Sequence, residues 1–490
     1  MIKTSVITIL KSLSVSEIKE FDKFIISPFF NNQPSLTRFY EELKKYYPEF
    51  PERTVDRKAI FENLYPDKQY SDEVIRRLTS DLKKLLDTYI YNKVLDSNPV
   101  EARYLKSFEY SRRGLLKEAE KELDQIIKRI GTDGPMSNEY VQNRLDYEDR
   151  LVQIKLSTNK QSEISPNFIN EVEYLIYHFI LRLSYYMHNV RVNKVIFNIS
   201  ESKFINDFIT SVDLSKIDKL IALDKLSDNT KKAMRVYVLF ILNNYYEKDE
   251  SYFEELKNTL PEAINYFQEH EKYNIYQMAE AICWQKMVVV DRERYRRELF
   301  EINKMRLEAG VFLPDGRTMR FMLFRQILMT ALQLNESVWA EQFAENYSKY
   351  LPEMIRNNLK LFADAHLLFE KQKFEESLSI LNRIDFDVFT LKFDIRNLMM
   401  RIYIELGYIE EAISLLDSYK HFISKNKGVS EYYRNITESF LKYCKNLIDL
   451  KTGRSKIDPG EILIELKKDN DVNFRSWLIE KLEGSIKNKV

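Results

Sequence analysis

The sequence predicts an all-α fold, an α-solenoid of stacked helical hairpins behind an N-terminal helical cap domain. Three observations predict it. Apolar residues recur at i, i+3, i+4 and i+7 along nearly the whole chain, while the alternation expected of strands is almost absent. Only 10 Gly and 12 Pro serve 490 residues, too few turn formers for a β-rich or α/β chain. One helix–turn–helix pattern recurs, twice in immediate succession and once far upstream, as it does in helical repeat arrays. A chain of this length exceeds one compact core, so several domains or one extended array is expected.

Residues 1–95 read as the N-terminal helical domain. Ser14 to Glu17 offer an N-cap for a helix whose apolar stripe is Ile18, Phe21, Phe24 and Ile25. Pro28 ends it, because proline lacks an amide hydrogen and disfavours helix in the residue before it. A second amphipathic helix is expected over about 35–47, stopped by Pro48, followed by helical segments at 54–66 and 72–85. The next segment, 96–209, opens at the polar Asp96, Ser97, Asn98, Pro99. It holds a hairpin over 100–130, a turn at Gly131 and Gly134, a helix over about 137–156, a loop to Pro166 and aromatic-rich helices over 167–195. The two glycines are no phosphate loop, since no Gly-Lys-Ser/Thr follows and no strand precedes. The less regular stretch 210–231 is the expected internal joint. Helical repeats are expected over 210–450 and capping helices over 451–490, the last with Trp477 closing the open apolar end of the stack.

The repeat is most legible in 361–419. Sliding its halves onto one another superposes Phe374 on Ile409, Ser377 on Ala412 and Leu381 on Leu416, a period of about 35 residues. Upstream, Tyr110, Gly114, Leu116, Ala119 and Leu123 stand at the spacing of Tyr403, Gly407, Ile409, Ala412 and Leu416. Gly114 and Gly407 fall where a left-handed residue ends a helix cheaply, and Ala119 and Ala412 fall where two helices touch. Trp339, Ala340 and Phe343 fit the second helix of a preceding unit at a spacing near 37. These units resemble tetratricopeptide repeats, with an aromatic residue in the first helix, Gly before the second, then Ala and a bulky residue. They depart from that pattern where Arg103, Leu361 and Arg396 replace the opening Trp and Asp364 replaces a Leu. The arrangement also resembles bacterial helical-repeat proteins to which no function attaches.

In tetratricopeptide repeats the first helix of each hairpin lines a concave face. Carried over by position, the resemblance nominates His366, Glu370, Asn397, Arg401 and Glu405 as contacts for a peptide or helix of another protein. A second reading uses residues 54–90, which resemble the helical half of winged-helix DNA-binding domains and would present Arg76, Arg77, Thr79, Ser80 and Lys83 to a groove. Against it stand nearly as many acids as bases in 52–95, a helical rather than stranded lead-in and no Gly-turned wing.

Composition narrows the function classes. The chain carries 75 basic and 75 acidic side chains, so it lacks the field that phosphate backbones or anionic membranes attract. Its 31 Tyr and 30 Phe therefore read as filling between stacked hairpins rather than as a base-stacking platform. Cys283 and Cys444 are isolated, and the five His (His178, His188, His270, His366, His421) show no ligand spacing, so neither disulfide nor metal is expected. No nucleophile elbow, P-loop or dinucleotide fingerprint occurs, and neither a cofactor nor an enzymatic activity is expected. The first ten residues are too short an apolar run for a signal, and Val236 to Leu242 is far too short for a membrane span. A cytoplasmic, protein-binding chain is the expectation.

Overall fold

The structure, a computed structural model, describes residues 4–51, 56–131, 134–158, 161–197, 202–211, 213, 216–217, 219, 226–385, 389–426, 431–455, 457–469 and 472–487. Among the described residues there are 23 α-helices and no strand. The chain divides into two compact units, residues 1–132 with 147–167, and residues 133–146 with 168–490. The expected joint at 210–231 lies mostly outside the described residues.

The first unit begins with α1 (Thr4–Ser12), α2 (Val15–Ile25), α3 (Pro34–Lys44), α4 (Arg57–Leu64) and α5 (Asp72–Ser97). The start of α2 is fixed by a capping box: the Ser14 hydroxyl accepts from the Glu17 amide at 3.2 Å, and the Glu17 carboxylate accepts from the Ser14 amide at 2.7 Å. Phe21, Phe39, Ile60, Ile75 and Leu82, one or two per helix, close a common core. At the break expected near residue 96 the helices abut. Asn98 ends α5 and caps α6 (Pro99–Arg112), its side chain accepting from the Glu101 amide.

The hairpin of α6 and α7 (Leu116–Ile130) has the expected turn. Gly114 adopts φ +74°, and the Leu115 amide reaches back to the Tyr110 carbonyl at 2.8 Å, the closing bond of a Schellman turn. Ala119 is fully buried where the helices meet, and the Ser107 hydroxyl donates to its carbonyl at 3.0 Å. Two helices, α8 (Asn138–Ser157) and α9 (Ser165–Phe197), carry the chain onward to α10 (Lys203–Ser211).

In the second unit, α11 (Asp228–Tyr245) holds the longest apolar run of the sequence. It is buried on every side from Val236 to Leu242, as an all-round apolar helix must be. There follow α12 (Ser251–Ala263), α13 (Glu269–Val289), α14 (Arg292–Glu308), α15 (Phe321–Gln333), α16 (Ser337–Tyr347), α17 (Glu353–Glu370), α18 (Phe374–Leu381), α19 (Phe389–Leu406), α20 (Ile409–Lys425), α21 (Glu431–Lys451), α22 (Pro459–Lys468) and α23 (Arg475–Lys487). From α15 onward each helix packs on the next, and α15, α17, α19, α21 and α23 also pack each on the next of that series.

One turn recurs through this unit. Left-handed residues stand at Gly310, Asn335, Gln372, Gly407 and Gly453. After each, an amide reaches back five residues to a carbonyl: Val311 to Arg306, Glu336 to Ala331, Lys373 to Leu368, Tyr408 to Tyr403 and Arg454 to Asp449, all at 2.9–3.0 Å. In four turns of the chain a fully buried small residue follows the left-handed one by five positions: Ala119, Ala340, Ser377 and Ala412. Ser377 tightens its contact by donating to the Ala365 carbonyl at 2.6 Å.

Candidate partner-binding face

Helix α17 carries His366 and Glu370 one turn apart, and α19 carries Asn397, Arg401 and Glu405 on three successive turns, so each set lies on one helix face. The neighbouring faces come together around Arg401. Its guanidinium lies 3.7 Å from a Glu370 oxygen and over the rings of Phe369, Phe474 and Trp477, at 4.0, 4.5 and 5.5 Å from their centroids. Glu405 accepts from the Trp477 indole N–H at 2.7 Å and from the Lys481 ammonium at 2.8 Å. Trp477 and Lys481 are one turn apart on α23, so a single helix supplies both partners of Glu405.

These five positions were expected to be open to solvent. The structure instead buries His366, Asn397 and Arg401 and leaves the side chains of Glu370 and Glu405 only 26 % and 12 % exposed. The physical reason is occupancy. Helix α23 covers Arg401 and Glu405, Tyr419 of α20 donates to Asn397 at 3.0 Å, and His366 packs against Phe362 at 4.6 Å with no partner for its Nε2.

Burial governs the electrostatics of this face. It pushes His366 down to about 3, an effect that the nearby positive charges of Arg401 and Arg325 reinforce. Burial also lowers Arg401 to about 10, the carboxylates of Glu370 and Glu405 recovering part of the loss. Glu370 is raised because its desolvation outweighs the pull of Arg401. His366 is therefore a neutral imidazole at physiological pH, and the charges that act are Arg401, Glu370, Glu405 and Lys481. The face is built to hold a helix that presents a planar ring and a cation.

The residues that sequence reasoning missed here are Phe474, Lys481 and the ion pair of Arg325 with Asp394, whose Nη2 and Oδ1 lie 2.7 Å apart between α15 and α19. A signal existed for Lys481 alone, through its i, i+4 relation to Trp477. In the charge run at 291–298, Arg296 pairs along its own helix with Glu293. Arg294 instead bonds to Glu250 and Glu254, and Arg297 to Glu336, joining neighbouring helices.

Of the winged-helix positions, Thr79 alone is buried, while Arg76 and Lys83 are accessible to solvent but paired with acids of their own helix. Thr79 donates to the Ile75 carbonyl, Arg76 pairs with Asp72 at 2.6 Å and Lys83 with Asp87 at 2.7 Å. Arg77 and Ser80 are exposed. No described helix is long and apolar enough to cross a membrane. No family model, curated protein sequence or solved structure matches the chain.

Proposed function

We propose that the chain is a non-enzymatic binding scaffold of the cytoplasm. In this reading it is an α-solenoid of tetratricopeptide-like hairpins that holds a peptide or helix of a partner protein against a concave helical-repeat surface. The observation that carries the reading is the constant five-residue offset between a left-handed turn residue and a buried small residue, at Asn335/Ala340, Gln372/Ser377 and Gly407/Ala412. Equal turns with equal close approaches are what stacking of equal units requires, and stacked units create extended faces. The seating of α23 on Arg401 and Glu405 supports the same reading, as an example of a helix held by side chains of α19.

The test is affinity capture by the intact chain from the cytosol of its source, with and without a peptide copying residues 472–487 as competitor. A stoichiometric protein partner displaced by the peptide is expected. Failure to retain any protein, or retention indifferent to the competitor, would sink the reading of this face.

A second reading, duplex DNA binding through α4 and α5, is favoured by one observation: α3, α4 and α5 pack pairwise on one another. The acids Asp72 and Asp87 at its basic side chains weigh against it. A mobility shift at two salt concentrations decides, because phosphate binding must weaken steeply with salt. No salt-sensitive shift is expected.

A further inference from the structure

A cavity of about 300 Å³ lies between the end of α12, the start of α13 and the end of α14, at the small end of the range for sites that hold a small molecule. Its apolar wall includes Ile264, Met305 and Val311, and its polar lining Lys272, Tyr276 and Glu308. Helices α13 and α14 pack as a pair joined through Val290 and Asp291, so the first turn of α13 stands beside the last turn of α14. The Tyr276 hydroxyl, donating to the Met305 carbonyl at 3.4 Å, spans the two. These turns are electrostatic opposites. Free amide donors end α13 and Lys272 adds positive charge there, whereas free carbonyls end α14 and Glu308 adds negative charge. Of the other charges in these turns, Glu271 is committed to the Asn138 amide and Arg306 to Glu280. Opposite charges that share a cavity are drawn together, yet Lys272 pairs with Glu269 at 2.5 Å instead of with Glu308. Glu269 is 88 % exposed, so water screens that pair and it contributes little. Among the described residues Glu308 has no ion-pair partner, and it is exposed.

We propose that this cavity binds a free α-amino acid with an apolar side chain. The ligand carboxylate takes the place of Glu269 on Lys272 and accepts from the Tyr276 hydroxyl. The ligand ammonium pairs with Glu308 at the carbonyl end of α14, and the side chain covers Ile264, Met305 and Val311. The charge pattern selects this occupant. A simple anion would meet Glu308 and a simple cation would meet Lys272, whereas a zwitterion satisfies both. A residue inside a peptide carries neither charge and a chain terminus carries one, so the free amino acid is the match. The cavity shares no residue with the face on α17 and α19, and it stands whether or not that face holds a partner.

The experiment is isothermal titration calorimetry of the full chain with L-leucine, L-methionine and L-phenylalanine up to millimolar concentration. Saturable binding of at least one of them, one molecule per chain, is expected. The N-acetyl and the amide derivatives of that amino acid each lack one charge. Each is expected to bind roughly tenfold to a hundredfold more weakly, the loss of one charged contact. Glu308→Gln is expected to weaken the amino acid by a similar factor and to leave the N-acetyl derivative unaffected. Lys272→Gln is expected to weaken the amino acid and to leave the amide derivative unaffected. Glu308 is exposed, so Glu308→Gln keeps the fold and decides alone should Lys272→Gln fail to fold. No saturable heat with any of the three amino acids, or an affinity unchanged by Glu308→Gln, overturns the proposal.

Discussion

Arg306 lies over the ring of Tyr273 at 4.1 Å and donates to Glu280 at 2.6 Å, and the two charged side chains are 1 % and 5 % exposed. Its Nε donates in addition to the Val311 carbonyl at 2.8 Å, so one guanidinium joins α13 to the turn that ends α14. Attraction within such a pair about offsets the cost of drying two charges, while removal of one partner strands the other.

Arg306→Met is therefore expected to destabilise the chain by roughly 3–5 kcal/mol, because Glu280 is left charged and buried. Arg306→Met combined with Glu280→Leu is expected to cost less than Arg306→Met alone. Chemical denaturation of the three proteins measures this, and a double variant no more stable than the single one would show that the pair is held by something other than mutual compensation.

The recurring turn makes a prediction of opposite signs. Gly407 has φ +72°, and a Cβ added there meets no atom within 4 Å, so Gly407→Ala carries conformational strain alone. The cost expected is about 1–2 kcal/mol. Gln372 occupies the same place in the preceding turn at φ +60° and bears that strain already. Gln372→Gly is expected to raise the thermal midpoint as Gly407→Ala lowers it. Two shifts of the same sign would mean that the turns are not equivalent.

That pair also explains what was legible in the sequence. Gly114 and Gly407 mark their turns because glycine is the residue that adopts a positive φ freely. Asn335 and Gln372 make the same turn without that signature, so the units at 331–347 and 368–381 showed themselves only through spacing. The four-residue spacing of the positions nominated by the resemblance in 366–370 and 397–405 puts each set on one helix face. It could not tell that the face was filled, because Trp477 reaches Glu405 across 72 residues of sequence. Short-range patterns report which residues share a face, whereas long-range packing decides what that face meets.

The occupancy of Glu405 can be dissected through Trp477. Trp477→Phe keeps a ring over Arg401 but deletes the indole donor, while Lys481 still satisfies Glu405 at 2.8 Å. The expected loss is about 1 kcal/mol, that of a single hydrogen bond. Trp477→Ala also removes the ring that packs with Leu478 and Leu482 in the core, and a loss of about 3–5 kcal/mol is expected. Equal losses for the two variants would show that the ring contributes nothing beyond its N–H.

The last prediction concerns pH. Glu271 of α13 is buried, accepts from the Asn138 amide at 3.0 Å through one oxygen and has no partner for the other. Burial raises it from 4.5 to about 7, with a smaller push from Glu139, while the Asn138 amide pulls the other way. Its folded pKa exceeds the unfolded value, so the folded chain binds more protons between these pH values. The stability held at low pH is therefore lost as pH rises from about 4.5 through 7. The loss is on the order of 3 kcal/mol, at 1.36 kcal/mol per pH unit. The buried His188 and His366, lowered to about 4 and about 3, act oppositely, their contributions being lost as pH falls below 6.5. Glu271→Gln isolates the carboxyl from the histidines. Relative to the unaltered chain, this variant is expected to gain stability between pH 5 and pH 8 by roughly that amount. Urea denaturation at the two pH values reads the difference directly, and a difference independent of pH would mean that Glu271 titrates alike in the folded and unfolded chain.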